Sequence, residues 1–153
     1  MQITRAGEYG VLGLLNLARQ APGQLAMIED VSRQEAIPKS FLAKIFQGLV
    51  KAEIIRSTRG SGGGFALAKA PEKISVLEVI EAIEGKIAFQ RCQQEEPDCE
   101  HVGGCALCGL LGEAQESLKE VFSQTTLADL LKPKTAPGRN HRRGNLQKIA
   151  VKN

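Results

Sequence analysis

Tryptophan is absent from this 153-residue chain, and its other aromatic residues are limited to five Phe and one Tyr. The core must therefore depend on Leu, Ile, Val and Ala. No apolar run approaches the roughly 18–20 residues that span a bilayer, and residues 1–5 lack the apolar stretch of a secretion signal. We therefore expect no membrane partner and a cytoplasmic location, in a chain long enough for one domain plus an appended helix.

Nucleotide-binding signatures are missing as well. The glycine-rich residues 60–64 lack the Gly-Lys-Ser/Thr ending of a P-loop and the GxGxxG spacing of a dinucleotide site. The chain also offers no acid/base pair and no nucleophile constellation that would indicate catalysis. The sequence therefore predicts a protein that is not an enzyme. An electron carrier or iron–sulfur enzyme is the alternative from a different functional class.

Acidic residues are scarce at the front of the chain and absent from its end. Residues 1–70 carry nine Lys/Arg and five Asp/Glu, residues 71–131 carry four and twelve, and residues 132–153 carry seven and none. A basic front followed by an acidic middle indicates that the front of the chain meets an anionic partner. We expect the last segment to be a disordered basic tail.

Cysteine is confined to one short segment. The four cysteines are Cys92, Cys99, Cys105 and Cys108, separated by six, five and two residues. A disulfide framework more often distributes its cysteines along a secreted chain, so this clustering indicates metal or redox chemistry. Structural zinc sites normally present two tight pairs, whereas only the last pair is tight here. The looser spacing suits an iron–sulfur cluster, whose ligands surround a larger inorganic core.

The first third of the chain carries the pattern of three helices. Apolar residues recur at helical spacing over residues 5–19, 28–35 and 38–52. A tight turn at Ala36 and Ile37 joins the last two of these segments, which predicts a helix-turn-helix, with a plain helical hairpin as the alternative. The outer face of the third helix supplies candidate contacts to DNA: Lys39, Ser40, Lys44 and Gln47.

A β-wing is predicted directly after the third helix. Residues 54–59 and 65–68 have strand character and flank the glycine-rich turn. Arginine side chains beside such a turn reach phosphates or a narrow minor groove, and glycines leave the backbone bare enough to lie against a sugar–phosphate chain. The candidate contacts to DNA in the wing are Arg56, Arg59, Gly62 and Gly63.

Two further helices are expected in the second half. The capping-box pattern Ser75–Glu78 opens a helix that ends at Glu84. An apolar stripe from about Ala106 to Phe122 predicts a long helix. We expect this helix to form a dimer, because it lies beyond a domain that already has a core; packing onto its own domain is the alternative.

The expected fold class is mainly α with a small β-wing: a winged helix-turn-helix plus a long dimerisation helix. The chain is divided into a DNA-binding domain (1–84), a cluster-binding loop (85–105), a dimerisation helix (106–131) and the basic tail (132–153).

Three segments resemble the iron–sulfur winged-helix transcription regulators typified by IscR and NsrR. They are Thr4-Arg-Ala-Gly-Glu-Tyr9, Phe41-Leu-Ala-Lys-Ile-Phe-Gln-Gly-Leu49 and Arg59-Gly-Ser-Gly-Gly-Gly-Phe-Ala-Leu67. The resemblance covers about residues 1–131, although Glu53 stands where a glycine often ends the recognition helix. It implies a bacterial homodimer that binds double-stranded DNA at a palindromic operator. It also implies that Cys92, Cys99 and Cys105 ligate an iron–sulfur cluster.

The fourth cluster ligand varies among these regulators. Cys108 stands in the place of a histidine ligand in IscR-like members, and Glu8 stands where NsrR-like members use an acidic residue of the partner subunit's first helix. A thiolate is the softer ligand, so we favour Cys108, with Glu8 as the alternative. Four thiolates suit either a 2Fe–2S or a 4Fe–4S cluster.

The expected function is that of a dimeric DNA-binding transcription regulator, a repressor or an activator. It would sense redox state, iron or cluster status, or nitric oxide through the cluster. The alternative is a DNA-binding regulator whose cysteines form a thiol switch or hold zinc without a cluster.

Overall fold

The computed structural model describes residues 3–94, 99 and 104–132. In chain order its helices and strands are α1 (Arg5–Ala18), α2 (Ile28–Gln34), α3 (Lys39–Lys51), β1 (Ile55–Thr58), β2 (Gly64–Leu67), α4 (Val76–Glu84), α5 (Ala106–Gln124) and α6 (Leu127–Leu131). Short 3-10 helices lie at Pro71–Lys73 and Arg91–Gln93. The expected fold class, mainly helical with a small β-wing, is therefore confirmed.

Two further expectations concern the C-terminal tail and membrane-spanning segments. The predicted tail, residues 132–153, lies outside the described residues apart from Lys132. Across the described part of the chain, every helix is too short or too polar to cross a membrane.

Glycines on one face of α1 let neighbouring helices approach its backbone. A Cβ atom on Gly7 would lie 2.6 Å from Glu84 Oε1, and one on Gly13 would lie 2.8 Å from Phe46 Cε1. Real Cβ atoms do not come this close to other heavy atoms. These small residues therefore set how tightly α1 packs against α3 and α4.

The start of α1 is capped from within the helix and from α4. Thr4 Oγ1 accepts a hydrogen bond from the N–H of Ala6 at 3.0 Å. Glu84 Oε1 accepts hydrogen bonds from the N–H of Thr4 and the N–H of Gly7, each at 3.0 Å, and from Thr4 Oγ1 at 2.7 Å. The first N–H groups of a helix have no partner within it, so these bonds stabilise the helix start. Glu84 thereby ties the end of α4 to the beginning of α1.

A mainly aliphatic core joins α1, α3, α4 and the wing, as the scarcity of aromatic residues requires. Its fully buried side chains include Leu14, Val31, Leu42, Phe46, Leu49, Ile54, Val79 and Leu127. Each large apolar side chain buried in this way contributes roughly 1.5–3 kcal/mol. The core is therefore shared by the helix-turn-helix and α6, which are distant in sequence.

The helix-turn-helix consists of α2 and α3, and its turn is fixed to α1. Ala36 in the turn has a φ of 54°, in the left-handed region. The buried Asn16 of α1 donates from Nδ2 to Gln34 Oε1 and to Glu35 Oε1, both at 2.8 Å. Arg19 adds an ion pair to Glu35 at 3.2 Å. These contacts hold the turn, and with it the orientation of α3, against the first helix.

The wing is a two-stranded antiparallel sheet with one further bridge. Thr58 of β1 lies opposite Gly64 of β2. Ala26 exchanges two backbone hydrogen bonds with Phe65, both of 2.9 Å. The Phe65 ring meets the ring of Phe46 edge-on, with centroids 5.0 Å apart. The base of the wing is thus packed onto α3, and its turn projects away from the core.

The last two helices return the chain to the core. α5 packs on α4 and on the short helix Arg91–Gln93. Gln115 of α5 is only 4% exposed, and its Oε1 accepts a hydrogen bond from the N–H of Phe89 at 3.2 Å. Leu127 of α6 is fully buried. This arrangement places the start of α5 beside the 3-10 helix that carries Cys92.

A complete capping box begins α6. Thr126 Oγ1 accepts a hydrogen bond from the N–H of Asp129 at 3.2 Å, and Asp129 Oδ2 accepts one from the N–H of Thr126 at 3.1 Å. Lys132 Nζ donates to Asp129 Oδ1 at 2.7 Å. The Lys132 bond, followed by the Thr126 bonds, holds the pKa of the Asp129 carboxyl well below its usual range.

Three local expectations differ from the structure. The third helical segment, predicted to begin at residue 38, begins at Lys39, and Pro38 is its N-cap. Ser75 Oγ accepts a hydrogen bond from the N–H of Glu78 as expected, but the Glu78 carboxylate pairs with Lys69 at 2.7 Å instead of completing a capping box. α5 ends at Gln124, two residues later than the apolar stripe indicates.

Candidate DNA interface and cysteine site

The outer face of α3 presents the polar side chains that the sequence indicates for DNA. Lys39, Ser40, Lys44 and Gln47 are all exposed. The opposite face of the helix is buried through Leu42, Ile45, Phe46 and Leu49. α3 therefore has the division between an anchored face and a polar face that a recognition helix needs to enter a major groove.

Lys39 is engaged within the protein. Its ammonium group forms an ion pair with Glu29 of α2, and that contact lowers the pKa of the Glu29 carboxyl from its ordinary value. Both groups are about half exposed, with side-chain exposures of 58% and 49%. A phosphate that binds Lys39 must therefore compete with Glu29, whereas Lys44 has no ion pair with another described residue.

An aromatic pair beside α3 was not predicted. Phe41 is 42% exposed, although it is one of the apolar residues whose helical spacing over residues 38–52 predicts a buried face. Its ring meets that of Tyr9 edge-on at 5.7 Å, and Arg5 Nη1 donates to Tyr9 Oη at 3.3 Å. The start of α1 thus brings Arg5 to the surface that α3 presents. The spacing of Arg5 and Tyr9 by one helical turn was the only sequence signal for this contact.

The wing carries its predicted residues at and beside its turn. Arg56 and Arg59 are exposed, but a guanidinium nitrogen of Arg56 lies 3.5 Å from the Cβ position of Gly23, in the α1–α2 connection. Gly62 has a φ of 81°, in the region that favours glycine. A Cβ on Gly63 would lie 2.3 Å from the carbonyl oxygen of Thr58. The turn geometry therefore depends on these two glycines, and Arg59 lies within it.

A cleft of about 540 Å³ separates α3 from the wing. Its lining combines the apolar side chains Met27, Val50 and Phe65 with the predicted contacts Gln47 and Arg59. The recognition helix and the wing are thus two neighbouring ridges. A ridge in the major groove and a ridge over the adjacent backbone fit the surface of a DNA duplex.

The cysteine site is formed where the short helix Arg91–Gln93 meets the start of α5. Cys105 is the N-cap of α5, and Cys108 lies in its first turn. The Sγ atoms of Cys92 and Cys108 both lie close to the side-chain amide of Gln93. The neighbouring Cys92 thiol is the main reason that the pKa of Cys108 is raised. Partial burial and the nearby Cys105 raise the pKa further. Three of the four predicted thiols therefore lie in one neighbourhood.

The side-chain amide of Gln93 lies beside the thiols of Cys92 and Cys108. Its Nε2 lies 3.4 Å from Cys108 Sγ and 3.8 Å from Cys92 Sγ, and it donates to the carbonyl oxygen of Cys108 at 2.9 Å. Sequence reasoning missed this residue, because only its position next to Cys92 hinted at it.

The other two candidate ligands are less defined. Cys99 is exposed, and most of the loop around it lies outside the described residues. Glu8 is exposed on α1 and makes no side-chain hydrogen bond or ion pair with the described residues. Within residues 3–94, 99 and 104–132, no three His, Cys, Asp or Glu side chains are grouped so as to hold a single metal ion. All four cysteines are free thiols.

The apolar stripe of α5 is divided between two faces. Cys108, Gly112 and Gln115 lie on the side that faces the protein's own α4 and the cysteine site. Leu107, Leu110 and Val121 are exposed by 56%, 63% and 58%. These three residues, which we call the outer face of α5, follow one another at spacings of three and eleven residues, as one helix face requires.

An anchored recognition helix followed by a wing defines the class of winged helix-turn-helix regulators. Residues 3–133 match the Rrf2 family, described as iron-dependent transcriptional regulators, and the chain belongs to that family. Transcription regulation and DNA binding follow from this membership. The family resemblance that the sequence indicates is therefore confirmed.

Named relatives support the assignment. The chain is 33% identical to protein rrf2 of Nitratidesulfovibrio vulgaris over 132 residues, which are 86% of this chain and 88% of that protein. Its fold is similar to CymR (YrzC), the global cysteine regulator of B. subtilis, with a TM-score of 0.71 and 25% identity over 86% and 96% of the two chains. It is also similar to T. potens IscR, with a TM-score of 0.69 and 25% identity over 86% and 87%.

Proposed function

We propose that this protein is a dimeric transcription regulator whose DNA binding responds to an iron–sulfur cluster held by its four cysteines. The observation that carries the proposal is that the sulfurs of Cys92 and Cys108 lie 3.8 and 3.4 Å from one amide nitrogen, that of Gln93, at the start of α5, whose N-cap is Cys105. The description of the family as iron-dependent supports the choice of metal.

The donor set fits an iron–sulfur cluster. Thiolates are the usual ligands of such clusters, and the four thiols are free. Cys99 and Cys105 are exposed, so an exposed site of this kind is open to small oxidants or nitric oxide. A bound cluster would supply one-electron redox chemistry and a reaction site for such molecules. The residues Cys92, Cys99, Cys105 and Cys108 would hold it.

We assign the fourth ligand position to Cys108 in preference to Glu8. Cys108 and Cys92 already lie beside the same Gln93 amide, and a thiolate is the softer ligand for iron. Glu8 is on α1, whose principal packing partners are α3, α4 and α6. A site built from Cys108 is complete within one subunit, whereas a site built from Glu8 is shared between two.

A change at the cysteine site would be transmitted to the DNA-binding surface through α4. The start of α5 carries Cys105 and Cys108, α5 packs on α4, and α4 packs on α3. A movement of the first turn of α5 is therefore transmitted through two helix contacts to the recognition helix. The residues assigned to DNA are Lys39, Ser40, Lys44, Gln47, Arg56, Arg59, Gly62 and Gly63, all in α3 or the wing.

The outer face of α5 is assigned to the dimer contact. Leu107, Leu110 and Val121 are exposed apolar side chains on a 19-residue helix. Two copies related by a two-fold axis would bury these residues against each other and place two recognition helices on a palindromic operator.

Anaerobic purification followed by visible absorption, metal analysis and sulfide analysis tests the cluster. We expect a coloured protein with iron and acid-labile sulfide in equal amounts, and we expect the colour to bleach in air. A colourless protein that takes up no cluster on reconstitution yet binds its operator normally would contradict the proposal.

A thiol switch is the second candidate function. Cys105 and Cys108 form a Cys-x-x-Cys pair at the start of a long helix, which is a setting in which thiols become reactive. The same purified protein distinguishes the two functions. A disulfide that forms on oxidation in a protein without iron, or one zinc ion per chain, selects the alternative.

Substitution separates the two candidates for the fourth ligand. Cys108→Ser should lower the iron content and the cluster lifetime in air, whereas Glu8→Gln should leave both near the wild-type values. The opposite pattern would assign the position to Glu8 and would mean that the cluster site is shared between subunits.

A further inference from the structure

We propose that Gln93 is a positioning residue of the cysteine site, whose side-chain amide donates N–H···S hydrogen bonds to the sulfurs of Cys92 and Cys108 and thereby raises the reduction potential of the cluster. This inference rests on the proposed iron–sulfur function. It begins from the fact that one amide nitrogen contacts two sulfurs from different elements of the fold.

The two hydrogen atoms of the Gln93 amide nitrogen determine which acceptors it can bind. The nitrogen carries two hydrogens and has three acceptors within reach: the Cys108 carbonyl oxygen at 2.9 Å, Cys108 Sγ at 3.4 Å and Cys92 Sγ at 3.8 Å. The short bond to the carbonyl occupies one hydrogen. The second hydrogen is therefore directed toward the two sulfurs. Because the carbonyl belongs to the backbone at the start of α5, the amide is held in place by a fixed group.

Gly112 leaves the space that the Gln93 amide occupies. Gly112 lies one turn after Cys108 on the same face of α5. A Cβ on Gly112 would be 3.3 Å from Gln93 Oε1 and 3.6 Å from Gln93 Nε2. A methyl group there would press on the amide group of Gln93. Gly109 is the natural comparison, because a Cβ on it would meet no described atom within 4 Å.

The effect on the cluster follows from charge. A hydrogen bond to a coordinating sulfur withdraws negative charge from it, and it stabilises the more negative, reduced state more than the oxidised state. Removing the bond should therefore shift the reduction potential to a more negative value. Residues that support metal ligands in this way typically contribute about 10–100-fold to metal affinity or activity.

Gln93→Leu and Gln94→Leu form a matched pair of variants. Gln94 is the next residue, is exposed, and makes no side-chain hydrogen bond to the described residues. In anaerobic redox titrations, we expect a more negative midpoint potential for Gln93→Leu and the wild-type potential for Gln94→Leu. Resonance Raman spectra in H₂O and D₂O should show a deuterium shift of the Fe–S stretching bands that is smaller in Gln93→Leu.

A second pair tests the same amide without changing it. Gly112→Ala and Gly109→Ala both replace a glycine in α5, so both gain the same helix propensity. Only Gly112→Ala should move the potential, and in the same direction as Gln93→Leu. This pair also decides the question if Gln93→Leu fails to fold, because the glycine variants retain every polar side chain of the site.

The outcomes separate this inference from the function on which it rests. A wild-type protein that takes up no cluster overturns both. A wild-type protein that takes up the cluster, with equal potentials and equal deuterium shifts in Gln93→Leu and Gln94→Leu, overturns the role of Gln93 alone. A shift confined to Gln93→Leu and Gly112→Ala supports it.

Discussion

Glu53 follows the end of α3 with a φ of 57°, a backbone conformation that costs an L-residue about 1 kcal/mol. Its side chain is exposed, so the cost is not offset by burial. Glu53→Gly should therefore raise the free energy of unfolding by about 0.5–1 kcal/mol, measured by urea denaturation. The substitution also removes a negative charge beside the C-terminus of α3, where it is unfavourable, and this removal increases stability as well.

Ala52→Gly is the control for this prediction. Ala52 is the preceding residue and has a φ of −81°, which suits any residue. A glycine there gains nothing from its freedom and should lower stability by up to about 1 kcal/mol. If both substitutions lower stability equally, the left-handed backbone at Glu53 is not a source of strain.

Gly13 shows how a single missing side chain sets a helix contact. A Cβ at this position would lie 2.8 Å from the ring of Phe46, which is fully buried. Gly13→Ala should therefore cost about 1–3 kcal/mol of overpacking, more than the gain of about 1 kcal/mol in helix propensity. Urea denaturation of Gly13→Ala should show a net loss of stability.

Gly48→Ala gives the comparison within α3. A Cβ on Gly48 would meet no described atom within 4 Å, so this variant should show only the gain in helix propensity. A stable Gly13→Ala variant would mean that α1 and α3 pack less tightly than the structure indicates.

Single residues could be predicted from the sequence when their chemistry was distinctive. The cysteines and Arg59 stand out by type and spacing. Gln93, Glu84 and Arg5 did not, because their roles depend on partners brought near by the fold. Glu84, for example, caps a helix that begins 80 residues earlier in the chain.

The wing is expected to contact the DNA backbone through Arg59. Arg59→Ala should weaken binding to every DNA sequence and make the dependence of affinity on salt less steep by about one unit of log–log slope, because one phosphate contact is lost. Fluorescence anisotropy at several salt concentrations measures both quantities.

Lys73→Ala removes an equal charge as a control. Lys73 is exposed in the short helix before α4, outside α3 and the wing. It should leave the affinity and the slope nearly unchanged. An equal loss in the two variants would mean that net charge, and not the wing, determines binding.

Helices and wing strands were predicted closely because their signals are local. Caps, apolar periodicity and the glycine-rich turn lie within a few residues of one another. Local signals did not predict how the apolar stripe of α5 is used. The sequence shows one continuous stripe, whereas the structure divides it into a face packed on α4 and an exposed outer face, since only tertiary packing decides which apolar residues are covered.

Assembly of the whole molecule depends, in the proposed function, on the outer face of α5. Leu110→Glu places a charge at its most exposed apolar position and should weaken the dimer roughly tenfold or more, as judged by sedimentation. Ser123→Glu adds the same charge to an exposed position of the same helix outside this face and should leave the dimer intact. If Leu110→Glu sediments like the wild type, another surface forms the dimer.

The most direct test of the central claim is the iron and acid-labile sulfide content of the whole protein isolated without oxygen, measured for the wild type and for Cys92→Ser. Our account predicts iron and sulfide in equal amounts in the wild type and a loss of most of both in Cys92→Ser. A wild-type protein without sulfide, or a Cys92→Ser variant with the wild-type content of iron and sulfide, would contradict it.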